Sequence, residues 1–267
     1  EQVKAVDPKI KLLTDDDMWI IHYWYLEAGV PTQIDGFAFH PYTLASPERA
    51  AVSKDTDWIH PFAVVDDDGS FRSAVQRLRA HGRKKLGKTP EMWITEWGWP
   101  IGQSTPAGPV TEDLLAAWLP RAFVVAAAAG VRVVCWFSAR DSVDGPMGLM
   151  DNEGHKRRPY YALQTLGREL GDWTLVRHLW GAQHLTRGLQ AFLFRHQDRQ
   201  KLVLWNTERT STSLPLVGAF SDANVVDLYG HTVVPKPDAQ GRRSVDFDNA
   251  PIYLTPVHVA GNEAEPG

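Results

Sequence analysis

One cysteine, Cys135, stands in 267 residues. That excludes a disulfide framework and any zinc site built on paired thiolates. A basic surplus is missing too. Lys and Arg number 28 against 32 Asp and Glu, a formal charge of −4, and a nucleic-acid binder needs a strong excess of the opposite sign. No apolar run approaches the ~18 residues of a membrane span; the longest is Ala122–Ala129. The patterns GxGxxG, GxSxG, HExxH and the EF-hand loop do not occur, and the scattered histidines show no metal-ligand spacing. No cofactor and no metal site is expected. An initiator Met and a secretory leader are absent as well. Residues 1–8 read as the last two turns of a helix stopped before Pro8, so the chain is expected to begin inside an element. The compartment is left open, with a secreted or periplasmic one favoured.

The chain is rich in apolar residues, at 43% hydrophobic and 22% charged, enough for a sizeable core and against disorder. Length allows one or two domains. There are 11 Trp, ten of them at or before Trp180. Trp is ordinary core, but at loop tips it suits flat apolar ligands such as sugar rings.

Strand and helix alternate through the first two thirds. Strands are expected at Lys9–Thr14, Ile34–His40, Glu91–Glu96 and Val131–Phe137. Helices are expected from an Asp15–Asp17 cap to Ala28, from Ser70 to Arg83, from Thr111 to Ala129 and from Pro159 to Leu170. Strands that are apolar on both faces, with helices between them, imply a parallel sheet covered by helices. After Gly171 the helical period disappears. Six short strands, from Gln190–Arg195 to Ile252–Thr255, read as a small antiparallel β-sandwich. The expected division is residues 1–172, 173–260 and a flexible tail, 261–267.

One motif match misleads. Gly82-Arg-Lys-Lys-Leu-Gly87-Lys88-Thr89 fits the phosphate-loop pattern GxxxxGK[ST]. That loop works only after a strand and before a helix. Here it follows a helix, and Pro90 leads into a strand, so it reads as a basic connector.

The informative segments are strand ends. Ile94-Thr-Glu96-Trp-Gly-Trp-Pro100 puts a carboxylate where an apolar strand meets a Gly/Pro loop. In parallel α/β folds, chemistry sits at that end. The plain alternative is an exposed loop Glu. His40-Pro-Tyr42 ends the preceding strand, and either side chain could orient a neighbouring carboxylate; the alternative is a core His and a loop Tyr. Trp136, followed by Arg140-Asp141, reads as the floor of a cleft or as core. Cys135 reads as a small buried hydrophobe.

Taken together, His40-Pro-Tyr42, the Glu96 segment and Trp136 resemble strands six, seven and eight of clan A glycoside hydrolases. Family 39 and family 5-like bacterial enzymes are the nearest likeness. Met147-Gly-Leu-Met150-Asp-Asn-Glu-Gly and Arg158-Pro-Tyr-Tyr-Ala-Leu163 resemble their approach to the last barrel helix. Val226-Asp-Leu-Tyr-Gly230 and Pro251-Ile-Tyr-Leu254 resemble their C-terminal sandwich. The resemblance implies an α/β fold: the second half, strands five to eight, of a (β/α)₈ barrel, followed by the sandwich. It implies a retaining mechanism with Glu96 as nucleophile, Tyr42 hydrogen-bonded to it, His40 lining the subsite and Trp136 under the sugar. Trp97, Trp99 and Asp141 are further substrate-binding candidates.

The acid/base Glu of the resemblance follows an Asn at the end of strand four. No such pair precedes Lys9, and Asn152-Glu153 lies in a turn. A barrel takes about 250 residues, or ~31 per strand–helix unit, and residues 1–172 hold four units. The expected partners are therefore a carbohydrate and a missing N-terminal half-barrel segment or companion chain, with no nucleic acid and no membrane. Two other readings stand beside this one: a non-catalytic carbohydrate-binding or scaffold protein with a degenerate cleft, and an unrelated α/β protein using the phosphate-loop match.

Overall fold

A computed structural model describes residues 2–14, 17–50, 64, 69–106, 108–180 and 188–259. The expected tail, 261–267, and Asp15 and Asp16 lie outside them. The chain forms two compact units. One comprises residues 1–109 and 125–148, the other 110–124 and 149–267. The unit with the larger antiparallel sheets takes in Val110–Val124 as well as the chain from Leu149 onward.

The elements up to residue 136 run α1 (Gln2–Val6), β1 (Asp17–Met18), α2 (Ile21–Ala28), β2 (Gly36–His40), α3 (Phe71–Leu86) and β3 (Glu91–Trp97). They continue with the short hairpin of β4 (Ser104–Thr105) and β5 (Gly108–Pro109), then α4 (Glu112–Ala128) and β6 (Val133–Trp136). Strands β1, β2, β3 and β6 form one sheet in that order, every neighbour parallel. Helix α3 shows why these segments fold. The Ser70 hydroxyl accepts the Ser73 N–H at 3.1 Å, satisfying one of the orphan donors of the first turn. Phe71, Ala74, Val75 and Leu78 are buried along one face. Gly87 ends the helix at φ 71°, its N–H returning to the Arg83 carbonyl. The phosphate-loop match is thus a helix end and C-cap running into β3.

The first strand departs from expectation. Around Lys9–Thr14 only an isolated bridge, Leu13 to Gly36, is made. The Asp35 carboxylate accepts the Leu12 N–H at 2.9 Å and the Lys4 ammonium at 2.7 Å. Lys4 first, then that N–H, hold the Asp35 carboxyl below the usual range. Backbone bonds are made there too, from the Thr14 N–H to the Gly36 carbonyl at 3.1 Å and from the Asp35 N–H to the Leu12 carbonyl at 2.6 Å, but the pairing extends no further, and β1 forms later, at Asp17–Met18. Asp17 therefore lies in a strand and is no helix cap; α2 follows Ile20, with no side-chain cap bond.

The sheet has two unlike faces. Met92 and Ile94 of β3 and Phe37 and Phe39 of β2 are buried, while Trp93 and Thr95 are half-buried. Trp93 is in register with Val133, and Cys135, two residues further, is exposed. Cys135 is therefore not the buried hydrophobe expected, because it points to the face that the described residues leave partly uncovered.

The second unit holds α5 (Arg158–Leu170), β7 (Thr174–Trp180), β8 (Leu189–His196), β9 (Arg199–Asn206), β10 (Thr212–Pro215), β11 (Asn224–Val226), β12 (Thr232–Val233), β13 (Lys236–Pro237), β14 (Arg243–Phe247) and β15 (Ile252–Val257). A six-stranded antiparallel sheet, β12-β11-β15-β9-β8-β7, and a three-stranded one, β10-β14-β13, share one apolar core. Leu193, Leu202, Leu204 and Leu254 from the first sheet meet Val245 and Phe247 from the second. Strands β7, β12 and β13 add to the six read from the sequence. Three turns share the pattern Asp-x-x-Gly-x. Asp151, Asp227 and Asp238 each accept the N–H four residues on, at 2.8–2.9 Å. The glycine of each, Gly154, Gly230 and Gly241, has positive φ.

Candidate active site

Because β2 and β3 are parallel, their C-terminal ends open on one edge. Phe39 is in register with Ile94, so the residues just beyond each strand are neighbours. The Tyr42 hydroxyl donates to Glu96 Oε2 at 3.0 Å. His40 Nδ1 lies 3.6 Å from the same oxygen. The two rings meet edge to face, 6.0 Å apart. The Glu96 side chain keeps 34% of its surface exposed and His40 17%. One carboxylate oxygen is thereby held by a neutral donor, while the group remains open to solvent and to a ligand.

A local irregularity sets this arrangement. Strict alternation along β3 would send Glu96 to the buried face with Met92 and Ile94, and Trp97 to the open one. The ladder between β3 and β6 shifts register between Ile94 and Trp97. A shift of this kind re-aims side chains. Here Trp97 turns inward and stacks on Phe71, centroids 4.9 Å apart, and Glu96 is left half-exposed. Gly98 then passes close to the chain after β6: a Cβ there would lie 2.2 Å from the Phe137 carbonyl oxygen. Only glycine fits.

The three tryptophans form a row, Trp97 to Trp99 at 5.6 Å and Trp99 to Trp136 at 6.0 Å. Trp97 and Trp99 are fully buried, and the Trp99 indole N–H donates to the Ala45 carbonyl at 3.1 Å. These two are expected from the sequence to bind substrate; as placed, both rings are covered and offer no face to a sugar. Trp136 is half-buried, and its indole N–H has no hydrogen-bond partner among the described residues. Asp141 Oδ1 accepts the Gly148 N–H at 2.9 Å, so this carboxylate helps close the loop after β6. The structure therefore brings His40, Tyr42 and Glu96 together and gives Trp136 an open surface. The sequence reading missed Phe71, Gly98 and the loop-closing bond of Asp141. Only the Ser70 cap, which fixes where Phe71 enters the helix, was a usable signal.

Two other groups of charged residues are accounted for structurally. Glu91, at the opposite end of β3, accepts Lys11 Nζ at 2.7 Å and the Trp93 indole N–H at 2.9 Å, and these hold its carboxyl low. Asp151, Glu153 and His155 place ligand-type atoms within 4.8 Å of one another. This is one of the three Asp-x-x-Gly turns, Asp151 binding both the N–H and the Nδ1 of His155. His231 repeats the arrangement on Asp227, so the turn explains the grouping. Among the described residues no helix is long and apolar enough to cross a membrane.

No family model matches the chain, and no curated protein matches it. Solved structures do. A family 39 glycoside hydrolase from the gut symbiont Bacteroides cellulosilyticus WH2 superposes with a TM-score of 0.69 at 19% identity, over 87% of this chain and 46% of its own. A family 30 endoxylanase from Clostridium papyrosolvens C71 gives 0.55 at 10% identity, over 95% and 58%. A family 30 subfamily 8 xylanase from Clostridium acetobutylicum gives 0.52 at 12%, over 94% and 56%. The chain spans about half the length of these structures. It resembles clan A glycoside hydrolases in fold, a mixed α/β architecture whose relatives are built on the (β/α)₈ barrel. At these identities the likeness concerns the fold.

Proposed function

We propose that this chain carries the nucleophile side of a retaining glycoside hydrolase. The observation that carries the reading is the Glu96 carboxylate at a parallel strand end, one oxygen held at 3.0 Å by Tyr42. In the proposed reaction Glu96 attacks the anomeric carbon as the glycosidic bond breaks, giving a covalent glycosyl ester. Water then cleaves that ester with net retention. Tyr42 holds the attacking carboxylate in one orientation, His40 lines the same subsite, and Trp136 supplies an aromatic surface beneath the sugar.

The leaving group needs a proton from a second carboxyl, ~5–5.5 Å from the first in retaining enzymes. Two Glu follow an Asn: Glu153 is exposed in its turn and occupies no strand end, and Glu263 lies outside the described residues. We therefore assign the acid/base to strands outside these 267 residues, on the same or another polypeptide. The β1-β2-β3-β6 sheet is the second half of a (β/α)₈ barrel, and the two antiparallel sheets sharing one core are a β-sandwich. Parallel sheets are normally covered on both faces. The partly open face carrying Trp93 and Cys135 is the one the missing strands would cover.

With those strands present, aryl glycosides should be hydrolysed, and NMR of the first-formed product should show the anomer of the substrate. The opposite anomer, or binding without turnover, would overturn the proposal. In the same assembly Tyr42→Phe should lower kcat by about 10–10²-fold with KM little changed. A hydrogen bond to a charged group is worth roughly 1.5–3 kcal/mol, and it matters most as the carboxylate attacks. Unchanged steady-state kinetics would make Tyr42 a packing residue.

A further inference from the structure

The unit that contains the antiparallel sheets has a cavity of its own, about 600 Å³, within the ~300–1,000 Å³ usual for small-ligand sites. Its wall is built from the start of α4, the start of α5 and the loops flanking β11 and β14. We propose that this cavity binds a neutral polyhydroxylated ligand, one or two sugar rings, as a site separate in residues and in role from Glu96.

The floor is apolar. Tyr229 and Ala250 pack on the buried cluster of Ala116, Ala117, Ala162 and Leu228. The wall is polar and mixed in sign. The Arg158 guanidinium is hydrogen-bonded to the Asp113 carboxylate, and the Arg158 N–H donates to Glu112 Oε1 at 2.7 Å. Tyr229 interacts with both Arg158 and Asp113, and burial first, then Asp113, raise its pKa, which keeps the hydroxyl a neutral donor. Two lining carboxylates are committed to the backbone: Asp227 Oδ1 accepts the Tyr229 and His231 N–H groups, and Asp248 accepts the Ala250 N–H. Asp246 on β14 is exposed at the cavity, as is Arg209.

Charge and geometry select the ligand class. The cavity is lined by Asp113, Asp227, Asp246 and Asp248 against Arg158 and Arg209, so carboxylates outnumber guanidinium groups and an anion is disfavoured. A wholly apolar ligand would strip water from carboxylates and guanidinium groups and return nothing. A bare cation would meet three carboxylates already engaged, Asp227 and Asp248 by backbone N–H groups and Asp113 by Arg158, and a single further one, Asp246, is too few to hold it. Sugar hydroxyls both donate and accept, so they can use carboxylates and guanidinium groups on one wall, while the C–H face of the ring covers Tyr229 and the aliphatic floor.

The test is saturation-transfer NMR on the 267-residue chain, with xylotriose and cellotriose as probes. The signal is read on the ligand, so self-association of the protein does not obscure it. Binding should weaken about tenfold or more in Tyr229→Ala and in Asp246→Ala, the latter an exposed change that leaves the core intact. It should persist in the double variant Glu96→Gln, Trp136→Ala, which separates this site from the proposed catalytic one. Glucuronate should bind at least about tenfold more weakly than either neutral probe, and millimolar Ca²⁺ should not displace them. The proposal is overturned if neither trisaccharide gives a signal, if both cavity variants bind as the parent does, if the double variant abolishes binding, or if Ca²⁺ or glucuronate is the tighter ligand.

Discussion

Glu96→Gln, in the protein supplied with the rest of its barrel, should lower kcat by about 10⁴-fold or more, on the order of 5 kcal/mol in the barrier. An amide of the same shape cannot form or release the glycosyl ester that the mechanism requires. Stability should hardly change. The side chain keeps 34% of its surface exposed, and the amide oxygen can still accept the Tyr42 hydroxyl. Thermal melts and single-turnover kinetics separate these two outcomes. A loss of tenfold or less would move the nucleophile elsewhere.

The chain of 267 residues by itself should show no glycosidase turnover above background. Protonation of the leaving group contributes ~10²–10⁴-fold, and in the proposed mechanism the group that supplies it is outside this sequence. The sheet argues for the same result on physical grounds. Among the described residues β1 and β6 are its outer strands, and β6 reads Val133-Val-Cys-Trp136, an apolar edge of the kind that invites pairing with another chain. The isolated chain should therefore self-associate. Addition of a segment carrying the other four strands should restore a single species and activity together, because a barrel closes only when every strand is paired. Sedimentation and an aryl-glycoside assay, run with and without that segment, measure both. A monomeric chain with full activity would show that a carboxyl within this sequence acts as the acid.

The legibility of the site in the sequence varied residue by residue. Glu96, His40 and Tyr42 stood out because a polar group ending an apolar strand is costly unless it is used, and parallel strands bring such ends to one edge. Their mutual contact follows from register, which the apolar pattern largely sets. The fate of Trp97 and Trp99 was not legible. It depends on the register shift after Ile94, and no periodicity announces a shift of one residue. Cys135 was misread because burial of a strand face depends on what covers it, which lies outside the strand. Of the strand expected at Lys9–Thr14 only one bridge forms, and the Leu12 N–H goes to the Asp35 carboxylate, a long-range choice. The Asp-x-x-Gly turns, by contrast, are local, and residue type alone explains them. The cavity beside Arg158 joins positions more than a hundred residues apart in the chain, from Asp113 to Asp246, so no motif could show it.

The most direct measurement of the central claim is covalent trapping. A 2-deoxy-2-fluoro glycoside with a good leaving group slows release of the glycosyl ester more than its formation, so the intermediate of a retaining enzyme accumulates on its nucleophile. Peptide mass spectrometry of the reassembled protein should find the added sugar on Glu96, at one per chain, and should find none in Glu96→Gln. A label on another carboxylate, or inactivation with no label on this chain, would contradict the assignment of Glu96 as nucleophile.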